Sequence, residues 1–470
     1  MNGMKQIAYF GLSTLFLKVL GFALLPISTR ILSQAEFGEL NFLVSISAVM
    51  SLLLCLGLPE LLFKQHISDP QRKRALFRDA LILCGFLSCV FIFILFYFIE
   101  PFSALLPVPL NTIDIKLLAV NLALSSVLSV LFCYFRYYEM AKQFCVLAIL
   151  QGAGQTLCTL ILLYLGYGVT GVMVSGVISS TLVLLIALSL VINQLGISFK
   201  YIAWNITPKN CLFLLSIIVS SLFVYANNGA ENWFIAASVG KEKLAQYYVV
   251  LQFALMTSFT FEPIRMWWFS RRFNELTQNR TKYIFLCKLS LDIGILLCAL
   301  MIIVTPHIFS IVLPHNYQLN TWLLPSLIVV VVLRHHSDLL NIGCYTQFNG
   351  LFVTVINAIS ALIALLLLGF LVPKFGVSGA VSALACAQLV KTGLFVAISQ
   401  KLEYLAFKVK SFVPSWVCFL LIYILSIIDL AQYVLWQLVT FVGFLIVLFY
   451  KYKPLISNAI KPFLRIRAHD

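Results

Sequence analysis

Long apolar runs, separated by short polar stretches, set the limits on what this chain can fold into. They lie near residues 6–29, 39–63, 79–99, 116–135, 144–165, 169–192, 210–230, 244–268, 283–305, 321–343, 351–371, 376–398, 411–429 and 431–450. Wound as an α-helix, a run of about 20 residues matches the hydrocarbon core of a bilayer, about 30 Å thick. The strands of a membrane β-barrel, about 10 residues of alternating hydrophobicity, give no runs of this length. The chain therefore reads as an all-α polytopic membrane protein with about 14 transmembrane helices. Its 61% hydrophobic and 10% charged residues exclude a soluble globule, for which about 25% charged is usual. The first run does not read as a cleaved leader. Only Lys5 precedes it, Lys18 sits inside it, and no small-residue cleavage pattern follows.

The charges have a side. With the N-terminus placed in the cytoplasm, 24 of the 32 Lys and Arg residues fall on the cytoplasmic side and 5 on the outer side. Lys18, Arg334 and Lys391 lie within spans. Such a bias orients a multi-span protein and predicts that both termini are cytoplasmic. It accounts for the net charge of +15 through anionic lipid headgroups, without a nucleic-acid partner. The 12 cysteines form no CxxC pair and no Cys/His cluster at metal-ligand spacing. They read as small buried hydrophobes, and no metal or cofactor is expected.

A repeat runs through the chain. Gly168-Val169-Thr170-Gly171, between the fifth and sixth spans, returns as Gly376-Val377-Ser378-Gly379, between the eleventh and twelfth. The outer turn around Leu32–Leu40 has a weaker counterpart at Val239–Tyr247, and Pro59 has one at Pro263. Six helices per copy preserve orientation, which implies two pseudo-symmetric lobes related about the membrane normal. The expected organisation is an N-terminal six-helix lobe at 1–195, a C-terminal six-helix lobe at 205–402, and two additional helices with a basic tail at 408–470.

The run Ser28-Thr29-Arg30-Ile31-Leu32-Ser33-Gln34-Ala35-Glu36-Phe37-Gly38 resembles the outer turn between the first two helices of bacterial polysaccharide flippases of the O-antigen type. Leu56-Gly57-Leu58-Pro59, followed by Leu62-Phe63-Lys64, resembles the inner end of their second helix. An Asp-Arg pair recurs in that family near the outer end of the seventh span, where this chain has Glu231-Asn232-Trp233. The family belongs to the multidrug/oligosaccharidyl-lipid/polysaccharide exporter superfamily. That superfamily also contains multidrug antiporters and the flippase of the peptidoglycan lipid precursor. The resemblance implies export of a polyprenyl-diphosphate-linked oligosaccharide across the bacterial inner membrane by alternating access. The polysaccharide polymerase and chain-length machinery would be its partners.

Charges inside the bilayer identify candidate site residues. Each costs at least about 2.5–3.5 kcal/mol at the bilayer centre and so faces a cavity or a partner. Lys18, Arg334 and Lys391 together would make a cationic cavity suited to a diphosphate. Structural pairing is the competing reading: Asp338 follows Arg334 by four residues, as Asp292 follows Lys288. Glu262, Asp292 and Asp338 are the candidates for ion coupling or gating. No phosphate loop, metalloprotease or nucleophile-elbow motif occurs, so no enzyme is expected. A multidrug or cation-coupled antiporter would favour acidic cavity residues. A membrane polysaccharide polymerase or ligase would favour a large outer loop, and the segments near 100–115 and 306–320 are short.

Overall fold

The computed structural model describes residues 3–64, 69–195, 208–317, 320–346, 351–407, 410, 412–428 and 433–466, and no strand occurs among them. The first half of the chain forms α1 (Gly3–Ile31), α2 (Gln34–Cys55), α3 (Leu58–Lys64), α4 (Pro70–Tyr97), α5 (Ile99–Leu105), α6 (Thr112–Tyr137), α7 (Ala141–Tyr164) and α8 (Gly168–Leu195). The second half forms α9 (Pro208–Ala226), α10 (Glu231–Val239), α11 (Lys241–Gln278), α12 (Arg280–Val312), α13 (Leu323–Leu340), α14 (Gly343–Thr346), α15 (Leu351–Phe375) and α16 (Val377–Leu402). Two more helices, α17 (Val413–Ile428) and α18 (Val434–Ile466), end the chain. Each apolar run is thus helical. Among the described residues 11 helices are long and apolar enough to cross a membrane alone, or 12 if α9 and α10, bent by 48° to one another, are counted as one span. The sixteen-residue α17 is shorter.

Local chemistry sets the helix boundaries. Ser33 caps α2: its hydroxyl accepts from the Glu36 backbone N–H at 3.2 Å, and Glu36 returns a carboxylate to the Ser33 N–H at 2.9 Å. This capping box satisfies two backbone donors that the first helical turn leaves open. Asp69 and Asn111 cap α4 and α6 more simply, each accepting one backbone N–H, from Gln71 and Ile113, and Pro70 occupies the first position of α4. The second span breaks at Leu56 and Gly57, both left-handed, with φ of 49° and 66°.

Two helix starts and two left-handed glycines recur at nearly the spacing of the sequence motifs. α2 begins at Gln34 and α11 at Lys241, while α8 begins at Gly168 and α16 at Val377. Gly168 and Gly376 hold φ of 52° and 59°.

Two compact units divide the chain. The first comprises Met1–Tyr248 with Ala364–Ala380; the second comprises Val249–Ile363 with Val381–Asp470. In the first unit, Phe77, Leu131, Phe135 and Val183 centre an apolar core, and α1 packs on α7 where Gly152 admits Leu17. In the second, Trp268, Tyr283, Cys287 and Leu291 form the corresponding cluster. Such close packing at small residues is what holds helices together in lipid, where apolar burial contributes little.

Candidate functional site

Arg334 on α13 and Lys391 on α16 lie together in the second unit. Both are half-buried, and Lys391 is within electrostatic reach of Arg334 and of Asp338, one turn further along α13. Two hydrogen bonds fix the register of the helices. The Gln388 amide donates to the Ser337 hydroxyl at 3.2 Å, and the Thr392 hydroxyl donates to the Leu333 carbonyl at 3.0 Å. Gln388 and Ser337 are both buried. Residues next to Lys391 and Arg334 thus hold α16 against α13, and two cations are brought together with one carboxylate between the two helices.

The basic character extends along α13 past Asp338. Buried Arg272 of α11 donates to the Asn341 side chain at 3.3 Å, and its guanidinium lies 4.9 Å from the centre of the Tyr345 ring. Asp338 also acts electrostatically on Tyr345. Nothing in the sequence set Arg272 apart from its neighbour Arg271. Its burial follows from the length of α11, which carries the chain past the apolar stretch to meet Asn341.

Lys18 is half-buried on α1 and belongs to the first unit. The side chain of Glu262 lies outside the described residues. Asp292 is wholly buried on α12. Ser415 donates to one of its oxygens at 2.6 Å; Lys451 and Tyr452 donate to the other at 2.5 and 2.6 Å. Its salt bridge runs to Lys451 of α18, where spacing alone pointed to Lys288.

Beside this clamp is an apolar cavity of about 560 Å³, lined by His336, Gln400, Tyr404, Phe412, Trp416 and Leu420 among others. Its volume falls in the range of small-molecule sites. The His336 ring stands 5.2 Å from Trp416. Its Nδ1 bonds the Val332 carbonyl at 2.8 Å, and its buried Nε2 has no hydrogen-bond partner. No group of three or more His, Cys, Asp or Glu side chains suited to a metal occurs among the described residues.

A family model described as "Polysaccharide biosynthesis protein" matches residues 4–269. No curated protein matches the chain in sequence. Among solved structures, the lipid II flippase MurJ in an inward closed conformation aligns with a TM-score of 0.70 at 15% identity, covering 95% of this chain and 99% of that one. An inward-facing multidrug resistance MATE transporter of the MOP superfamily aligns with a TM-score of 0.63 at 13% identity, covering 83% of this chain and 94% of that one. A MATE transporter from Vibrio cholerae gives a TM-score of 0.54 at 12% identity, covering 85% and 95%. At these identities the likeness is one of fold.

Proposed function

Because the chain belongs to the polysaccharide biosynthesis protein family, we propose that it is a flippase that carries a polyprenyl-diphosphate-linked oligosaccharide, an O-antigen or related surface repeat, across the bacterial inner membrane. The observation that carries this reading is the pairing of Arg334 and Lys391 around Asp338 within membrane-spanning helices of an exporter family. A diphosphate exposed to hydrocarbon meets a prohibitive desolvation cost. Cations within the protein offset that cost, while the prenyl chain stays in apolar surroundings, for which the 560 Å³ cavity offers part of the volume. Lys18, Arg334 and Lys391 bind the diphosphate or acidic sugars in this reading. Asp338, close to both second-unit cations, is the acidic residue best placed to release them; Glu262 and Asp292 are the other candidates for coupling or gating. An inside-negative potential drives an anion outward by about 2.3 kcal/mol per charge per 100 mV. Both termini are cytoplasmic in this reading, and the product is delivered to the polymerase and chain-length machinery.

Substitution of the cations tests the assignment. Losing one charge-assisted contact to a desolvated phosphate costs about 1.5–3 kcal/mol, roughly ten- to a hundredfold in rate. Lys18→Ala is expected to abolish most surface polysaccharide at normal membrane abundance, and Lys18→Arg to retain part of it. Full display by Lys18→Ala at normal abundance rejects the cationic site.

A further inference from the structure

At the end of the bundle that the charge bias assigns to the outer face, four helix N-termini gather around carboxylates. Glu39 of α2 accepts from the backbone N–H of Asn111, the cap of α6, at 3.3 Å, and from Lys241, the first residue of α11, at 2.9 Å. Glu36 lies against Gly168, the first residue of α8, and Asp114 of α6 is within electrostatic reach of Glu39 and close to Thr170 of α8. Carboxylates at helix N-termini are favoured by the backbone dipoles. Lys241 is the cation of this cluster that comes from the second half of the repeat. One residue before Glu39, α2 and α11 come into backbone contact: a Cβ on Gly38 would overlap the Lys241 carbonyl oxygen. Beneath this contact lies a polar layer. The Trp233 indole donates to the Tyr225 hydroxyl at 2.8 Å, and that hydroxyl lies 2.8 Å from the Ser45 hydroxyl. Phe42 stacks edge-on against Trp233 at 5.0 Å.

We propose that Gly38, Glu39 and Lys241 form the outer latch of the transporter. Gly38 permits α2 and α11 to close, the Glu39–Lys241 ion pair holds them closed, and the Ser45–Tyr225–Trp233 layer seals the path below. The proposal rests on the alternating-access reading of the function and assigns it specific residues. The ion pair joins a residue of the first expected copy of the repeat to one of the second, both within the first compact unit, and in this reading opening the outer side breaks it. Removing the glycine's freedom to pack and reversing the charge are independent ways to disturb it.

The test is the rate at which a membrane-impermeant maleimide, added from outside, labels Ser45→Cys in an otherwise cysteine-free chain in intact cells. The closed latch keeps labelling slow. Gly38→Ala and Lys241→Glu are each expected to raise the rate about tenfold. The double reversal Glu39→Lys with Lys241→Glu restores slow labelling. Gly85→Ala, whose new Cβ meets open space, leaves it slow. If Gly38→Ala does not accumulate in the membrane, the charge-reversal pair decides. Labelling as slow in Lys241→Glu as in the parent, or as fast in the double reversal as in the single, overturns the latch. The readout needs no substrate. A failure of oligosaccharide export with the labelling pattern intact would therefore count against the transport reading alone, and unchanged labelling beside active export would count against the latch alone.

Discussion

At Gly168 and Gly376 the chain turns through a left-handed backbone, with φ of 52° and 59°, before entering α8 and α16. A side chain at either position is strained. The second glycine of each motif has a different task. A Cβ on Gly171 would crowd Tyr167 and Leu162, and one on Gly379 would overlap the Leu371 backbone. Each lets its helix fold back tightly on the one before. The four-residue motif was legible as a repeat, and its first glycine as a turn. The second glycine's role was not, because close approach depends on where the preceding helix runs. Gly379→Ala is expected to cost about 1–3 kcal/mol through overpacking and to lower the melting temperature in detergent. Gly393→Ala, where nothing lies within 4 Å of the added carbon, is expected to leave it unchanged or slightly raised, and equal effects of the two would refute the packing role.

Among the elements, α17 and α18 come last in the chain, and Asp292 explains what ties them to α12. One fully buried carboxylate collects Ser415 from the first and Lys451 and Tyr452 from the second. The sequence marked Asp292 as a charge needing a partner in the membrane, and local spacing offered Lys288. The actual partner is 159 residues away, a separation at which periodicity carries no information. Tyr452 also meets Phe285 edge-on at 5.8 Å, so apolar contact and ion pair reinforce one another. Removing one member of a buried pair costs about 3–5 kcal/mol, whereas replacing both by apolar groups is often neutral. Asp292→Asn is therefore expected to expose the segment joining α16 to α17 to protease, and Asp292→Leu combined with Lys451→Met to restore much of the protection. The spans themselves were readable from apolar length. The break at Leu56-Gly57 was not, since two backbone angles within a continuous apolar stretch set it; the bend between α9 and α10 falls at the polar Asn227-Asn228-Gly229, where the seventh run ends.

For the molecule as a whole, composition and the length of the apolar runs were enough to assign an all-helical membrane protein, and its fold is that of MurJ and the MATE transporters. Of the three cations singled out, Arg334 and Lys391 come together because α13 and α16 are stitched through Ser337, Gln388 and Thr392. Arg272 extended that basic region without any sequence signal. In the proposed function this chain moves a lipid-linked oligosaccharide between leaflets. That movement is tested most directly with the purified protein in vesicles carrying a polyprenyl-diphosphate oligosaccharide in the inner leaflet, scored by digestion of the sugar with an external glycosidase. A flippase gives digestion that depends on the protein, quickens with an inside-negative potential, and falls at least tenfold in Lys18→Ala and in Arg334→Ala. Digestion no faster than in protein-free vesicles, from protein that retains its fold, would contradict it.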